Sequence, residues 1–363
     1  MTYSEIGFIF LTVSFLIQCF YLFYFSARVA FIKENKSVKK KGISVIICAR
    51  NENENLKKNL PLVLNQKYED FEVIVVNDRS WDNSIETLNK FKAQYSKLKI
   101  VDIPDNNTDN FGKKLAITIG IKAAKNNYLL FTDADCQPLS EHWINEMSKG
   151  FEEEKQIVIG VGIYEKEKGF LNKIIRFDAV QIAINYLGYA KAKIAYMGVG
   201  RNLAYHQDVY YLNDGFKSHY HIESGDDDLF VNQASNISNT QVIFNSKSMT
   251  ISKPKIEFKN WVYQKRRHHT TNFKYKKKHK ILLGMQYLSA LAFYFLLIFS
   301  FFSIDYVKIG LILFTVRYLL IIATNYKAFK IMMCKDLLWA FPIYEIILLF
   351  CKPIFQINRR IRL

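Results

Sequence analysis

Apolar residues crowd both ends of the chain, while the middle alternates short apolar runs with polar ones. Residues 6–26 carry no formal charge. At about 1.5 Å rise per residue, such a helix would cross a bilayer core of about 30 Å. A second uncharged run covers 281–303, and a third, 309–324, is broken only by Arg317. A fourth, 337–350, contains Pro342 and Glu345 and is followed by Pro353. An arginine and a glutamate at membrane depth need partners or a wet cavity, and Arg317 and Glu345 could pair with each other.

Basic residues follow the first run (Arg28, Lys33, Lys36, Lys39, Lys40, Lys41) and precede the second (Lys274, Lys276, Lys277, Lys278, Lys280). The positive-inside rule turns the intervening segment toward the cytosol and the N-terminus outward. A secretory signal peptide is disfavoured, because no basic stretch precedes the first run and its apolar part is long. Four full crossings would leave Arg359, Arg360 and Arg362 outside, against the rule, so the last segment is expected to be re-entrant or interfacial. The expected organisation is an N-terminal membrane helix (1–32), a cytosolic domain (42–280), two to three membrane helices (281–356) and a basic tail (357–363).

Within the middle, 43–48, 71–76, 98–103 and 128–132 are short, β-branched, apolar runs that read as strands. Helical patterns separate them. One carries Leu56, Leu60, Val63 and Leu64. Another is capped by Asp82 or Asn83 and carries Ile85, Leu88 and Phe91. A third covers 112–125. Strands alternating with helices at this spacing predict a parallel α/β sheet covered on both faces. Ligands of such sheets bind beyond the carboxyl ends of the strands. Here those ends read Ala49-Arg50-Asn51-Glu52, Asn77-Asp78-Arg79-Ser80 and Asp133-Ala134-Asp135.

Composition narrows the picture. The chain has 363 residues, half of them hydrophobic, and a formal net charge of +17. Its lysines cluster at membrane flanks rather than along a groove with stacking aromatics, which argues against nucleic acid and for membrane lipid. The five cysteines form no CxxC pair, so neither a disulfide framework nor a zinc site is expected. Two histidines, His219 and His221, lie near an acidic turn without completing a zinc ligand set.

Asp133 and Asp135 stand two apart at a strand end, so both carboxylates can reach one hard cation. Mg2+ or Mn2+ accepts one or two carboxylates alongside phosphate oxygens and neutralises a leaving diphosphate. A polar turn would explain Asp-x-Asp taken alone. The series Val45-Ile46-Ile47-Cys48-Ala49-Arg50-Asn51-Glu52, Val75-Val76-Asn77-Asp78-Arg79-Ser80, Gly112-Lys113 and Thr132-Asp133-Ala134-Asp135 is more specific. In order and spacing it resembles the family 2 glycosyltransferases over about 43–267.

The resemblance implies a GT-A, Rossmann-like nucleotide-diphospho-sugar transferase domain flanked by transmembrane helices. It places Ala49, Glu52 and Asp78 at the nucleotide base and Lys113 near the base or diphosphate. Asp135 would hold the metal, and Asp133 the ribose or metal. Asn77 and Arg79 depart from the Asp and Gly usual in the family, which bears on the local backbone conformation.

Three carboxylates, Asp226, Asp227 and Asp228, follow Ser224-Gly225. They could simply cap the next helix, since aspartate is favoured at helix starts. By resemblance one of them is the general base that takes the proton from an acceptor hydroxyl. Asp227 is preferred and Asp226 is next. Attack opposite the leaving group then inverts the anomeric centre. Gln264-Lys265-Arg266-Arg267-His268 is similar to the family's Gln-x-x-Arg-Trp, with Gln264 and Arg267 on one helical face and Arg267 suited to a diphosphate. His268 replaces the tryptophan that marks processive synthases. The same segment could dock on anionic lipid. A Gly-rich turn at 194–202 is expected to shape the acceptor pocket. The preceding amphipathic helix, 170–192, could lie on the membrane with Ile174, Phe177, Ile182 and Tyr186 toward lipid.

The expected function is therefore inverting, metal-dependent, non-processive transfer of a sugar from a UDP- or GDP-sugar. The acceptor would be lipid-linked or a saccharide near the membrane, in envelope glycolipid or polysaccharide synthesis. The setting is a bacterial cell membrane with the catalytic domain in the cytosol. Alternatives are a processive polysaccharide synthase and a non-catalytic membrane scaffold.

Overall fold

A computed structural model of the chain describes residues 3–33, 40–104, 112–152, 154–302 and 304–356. Lys36, Lys39 and the basic tail 357–363 lie outside the described residues. The chain divides into two compact units. One comprises Lys33–Glu167 and Lys193–Lys255; the other comprises Met1–Ile32, Lys168–Ala192 and Ile256–Leu363. Segments 168–192 and 256–280, inside the expected domain 42–280, thus belong with the apolar helices.

Among the described residues, the first unit is built on ten strands: β1 (Ile43–Ala49), β2 (Phe71–Asp78), β3 (Leu98–Ile103), β4 (Tyr128–Asp133), β5 (Cys136–Pro138), β6 (Ile157–Ile159), β7 (Gly162–Tyr164), β8 (Leu203–His206), β9 (Thr240–Val242) and β10 (Thr250–Ser252). Seven form a sheet in the order β3-β2-β1-β4-β8-β6-β9, and β5-β10-β7 form a smaller one. The four expected strands are mutually parallel, and β8 runs against both β4 and β6. Strands β1 and β2 are buried almost throughout, as near-continuous apolar runs in a parallel sheet require. Val45, Val73 and Val75 pack with Leu56, Leu60 and Val63 of helix Asn53–Leu64 and with Trp143 and Met147 of helix Trp143–Ser148.

Register decides what meets at the sheet's edge. Ala49 lies opposite Asn77, and Cys48 opposite Asp133. The chain leaves β1 for β2 and β3 on one side and returns to β4 on the other. The crevice between β1 and β4 is thus the switch point where open α/β sheets bind ligands.

The second unit is helical. Among the described residues three helices are long and apolar enough to cross a membrane: Glu5–Ala30, Lys277–Ser300 and Tyr306–Ile331. The final helix, Phe341–Gln356, is shorter. Arg317 and Glu345 do pair. Arg317 Nη2 lies 2.7 Å from Glu345 Oε1, and Nη1 lies 2.9 Å from Oε2. Gln18 Oε1 and Tyr294 Oη complete the network, so the clasp draws on four helices.

Helix Phe170–Lys191 corrects the expectation of a surface-lying helix. Ile174, Phe177 and Tyr186 are buried, and the Phe177 ring packs on Phe329, Phe341 and Tyr344. Its apolar residues run nearly all round, which suits burial among helices rather than an interface. Gly188 sits against the backbone of Phe25, where a Cβ would come within 2.6 Å of the Phe25 carbonyl oxygen. The π-helical turn Leu22–Ser26 falls at this contact, beside the stacked rings of Phe25 and Tyr189.

Candidate active site

The loops after β1 and β2 are tied to each other. The Asn51 amide donates to Ser80 Oγ, the Glu52 amide to Ser84 Oγ and the Asn53 amide to Asp82 Oδ2. Asn83 is the N-cap of helix Ser84–Gln94 but makes no side-chain capping bond; the Ser84 amide donates instead to Asp82 Oδ1. Asn51 and Arg79 both adopt left-handed backbone, with φ of 56° and 52°. Arg79 thus takes the conformation glycine would favour, and its Nε donates to Asp78 Oδ1 at 2.8 Å. Asn77, where an aspartate was expected, donates to Asp102 Oδ1. A second carboxylate there would repel Asp102.

At the end of β4, the ligand atoms of Asp133, Asp135 and Cys136 lie within 4.8 Å of one another. Burial, with the charges of Asp133 and Asp135, holds the Cys136 thiol well above its usual range. The Cys136 Sγ donates to Asp135 Oδ1, and the two carboxylates supply hard oxygens of the kind that suit Mg2+ or Mn2+. Desolvation and the neighbouring Asp133 raise the Asp135 carboxyl. Desolvation also raises Glu52, which feels both aspartates and accepts from Asn55 Nδ2.

Lys113 links this edge to the acidic loop. Its Nζ lies 2.5 Å from Asp133 Oδ1 and 3.4 Å from Asp226 Oδ2. Burial alone would lower Lys113, but the two carboxylates hold it well above the ordinary lysine range. Asp227 Oδ2 accepts the Gly200 amide at 2.6 Å, and its Oδ1 accepts the Asp228 amide, capping helix Asp228–Ala234. Burial, then Asp226 and Asp228, push the Asp227 carboxyl up to about 7, against the pull of Lys113 and the Gly200 amide. Cys48, Lys113, Thr132, Gly200, Asp226 and Asp227 line one small cavity.

The α/β unit therefore gathers Ala49, Glu52, Asp78, Lys113, Asp133, Asp135, Asp226 and Asp227 around its strand ends and the adjoining acidic loop. Gln264 and Arg267 fall in the other unit, on helix Phe258–His269. The Gly-rich turn contributes through the Gly200 amide.

One residue escaped sequence reasoning. Lys114 is buried, and its Nζ donates to the carbonyls of Ile222 and Ser224. It holds the approach to the acidic loop, while the Trp143 indole and Asn202 brace the turn on the other side. The doublet Lys113-Lys114 gave no sign that its second member points inward.

Sheet order, switch-point crevice and carboxylate-bearing strand ends define a GT-A-type nucleotide-diphospho-sugar fold. Residues 44–209 match the model of glycosyl transferase family 2. Poly-beta-1,6-N-acetyl-D-glucosamine synthase of Staphylococcus epidermidis is 33% identical over 132 residues, 35% of this chain and 30% of the synthase. The glycosyltransferase YkcC of Bacillus subtilis (strain 168) is 34% identical over 116 residues, 32% of this chain and 34% of its own. The matched stretch spans about a third of each of these relatives. The structure of mannosyltransferase PcManGT from Pyrobaculum calidifontis, in complex with GDP-Man and Mn2+, is similar with a TM-score of 0.58 and 15% identity, over 94% of this chain and 98% of that one. The likeness is one of fold.

Proposed function

We propose that the chain is a membrane-anchored, inverting glycosyltransferase. It moves a sugar from a nucleoside-diphosphate donor to a lipid-linked or membrane-near saccharide acceptor on the cytosolic face. The observation that carries this is the Lys113 bridge from Asp133 to Asp226, which ties the carboxylate-rich strand end to the acidic loop where burial, Asp226 and Asp228 raise Asp227 to about 7.

Ala49, Glu52 and Asp78 line the edge where the nucleotide base would sit. Asp133 and Asp135 would hold Mg2+ or Mn2+, which supplies charge neutralisation for the diphosphate. Lys113 adds a fixed cation on the same side. Asp227 takes the proton from the acceptor hydroxyl. A base near pH 7 is matched to that task, because it is largely free to accept the proton yet still basic enough to do so. The Gly200 amide fixes one oxygen of that carboxylate and leaves Oδ1 with the Asp228 amide. The three long apolar helices anchor the chain and keep the effective acceptor concentration high.

The names of the matched relatives favour a second reading, processive polymer synthesis. His268, in place of the tryptophan of processive synthases, favours transfer of one sugar. Product sizing after incubation with donor and a lipid acceptor separates the two: one added sugar supports the first reading, and a ladder of lengths supports the second.

A further inference from the structure

We propose that Asn202 and Trp143 are positioning residues for Asp227, acting through the backbone of the turn that carries the Gly200 amide. The inference rests on the reading of Asp227 as the general base and deepens it.

A helical turn of three residues is too short to hold itself. Gly200–Asn202 closes one local bond, from the Asn202 amide to the Val199 carbonyl at 2.9 Å. What holds it is the Asn202 side chain, which is wholly buried. A primary amide offers two N–H donors and a carbonyl acceptor, and here each is used. Its Nδ2 donates to the carbonyls of Val161 and Ser248, each at 2.8 Å, and its Oδ1 accepts the Trp143 indole N–H at 3.0 Å. These partners come from the link between β6 and β7, the segment before β10, and helix Trp143–Ser148. The side chain thus pins the turn where the two sheets meet. Gly160 makes room for it, since a Cβ there would come within 2.6 Å of Asn202 Nδ2. The backbone is held as well. The Gly160 amide donates to the Asn202 carbonyl at 3.0 Å, and Thr132 Oγ1 and Thr250 Oγ1 donate to the Arg201 carbonyl at 3.1 and 2.9 Å.

The acidic loop is tied to the same stretch from its own side. Asn232 Nδ2, on the helix that Asp227 caps, donates to the Tyr196 carbonyl at 2.8 Å, and Ser235 Oγ donates to the Ala195 carbonyl at 2.9 Å. The bond from the Gly200 amide to Asp227 Oδ2 lies between these ties and the Asn202 clamp. A buried network with every member satisfied fixes one geometry. A reacting group displaced by about 1 Å loses about 10²-fold in rate, so the clamp bears on turnover although it lies behind the turn.

Asn202→Asp keeps the size and the acceptor for Trp143, but sets an oxygen with no proton to give against the carbonyls of Val161 and Ser248. Trp143→Phe is the milder variant, removing one donor and keeping an aromatic ring in the core. The full chain in a non-ionic detergent is assayed for radiolabel transfer to a membrane lipid extract from each UDP- and GDP-sugar of a panel, supplied with Mn2+. Hydrogen exchange is read alongside by mass spectrometry. The transfer kcat should fall about 10²-fold in Asn202→Asp and about three- to tenfold in Trp143→Phe, with the donor KM unchanged. Exchange at Gly200–Asn202 should quicken in both variants while that of β1 and β2 stays as in the wild type, which separates a loosened turn from a misfolded chain. The decisive comparison repeats Trp143→Phe in an Asp227→Asn background. With no base left to position, the substitution should cost nothing further. Equal fractional losses in both backgrounds, or quicker exchange with undiminished kcat, would overturn the positioning role. Full turnover by Asp227→Asn alone would instead overturn the base assignment on which that role rests.

Discussion

The Gly200 amide donates to Asp227 Oδ2 at 2.6 Å. A backbone donor from the turn before β8 thereby fixes the orientation of a carboxylate in the acidic loop. A Cβ at position 200 would come within 3.3 Å of Lys113 Nζ and 3.4 Å of Asp227 Oδ2, so glycine also makes room for both. Burial, then Asp226 and Asp228, disfavour the charged carboxylate, while Lys113 and the amide favour it, and the balance pushes Asp227 up to about 7.

Asp227→Asn keeps the shape and the capping acceptor but removes the base. Donor binding should be unchanged, while transfer should fall by about 10²–10⁴-fold. Isothermal titration with donor and a radiolabel transfer assay check the two halves. Retained turnover would move the role to Asp226.

The raised Asp227 value makes a pH prediction. Transfer requires the deprotonated form, so kcat/KM should rise with pH and level off above about 7. Stability should move the other way. Between the unfolded value of about 3.9 and the folded value near 7, the folded state binds more protons. Stability from this group is therefore greatest below that window and falls as pH rises through it. Asp227→Asn should flatten both profiles, as pH-rate data and thermal unfolding across pH 5–8 would reveal.

Lys114→Met would leave the buried carbonyls of Ile222 and Ser224 without their donor. Each unsatisfied buried carbonyl costs about 1–3 kcal/mol. Stability should drop accordingly, and transfer should fall because the acidic loop loses its support. Lys114→Arg should recover part of both. Denaturant unfolding alongside the transfer assay would show whether the two losses travel together.

Arg317→Met would strand Glu345 beside Tyr294. Removing one partner of a buried pair costs about 3–5 kcal/mol, while replacing both with apolar residues is often neutral. The double variant Arg317→Met with Glu345→Met should therefore unfold at a higher temperature than Arg317→Met alone. Thermal scans in detergent decide it.

The central strands were legible because each is a short β-branched run with polar residues at its carboxyl end, and one fold places all those ends together. The pairing of Arg317 with Glu345 was legible because apolar surroundings leave each few other partners. Helix Phe170–Lys191 was misread because its pattern was taken as one apolar face, whereas Phe177 and Tyr186 are buried along with Arg176 and Asp178. The Arg176 guanidinium meets Asp336, and Asp178 meets Lys265, so charged residues of this helix point inward. Lys114 was missed for the same reason. A buried lysine bonded to backbone carbonyls leaves no side-chain partner to find in the sequence. Arg79 shows the converse: its sequence departs from glycine, while its backbone does not.

The most direct test is nucleoside diphosphate release from a panel of UDP- and GDP-sugars by the full chain in detergent. Mg2+ or Mn2+ is supplied, and Asp135→Ala is run in parallel. Release from one donor, dependent on the metal and lost in Asp135→Ala, is the predicted result. Failure of the wild-type chain both to release nucleoside diphosphate and to bind any donor by calorimetry would contradict a glycosyltransferase and leave a membrane scaffold that keeps the fold.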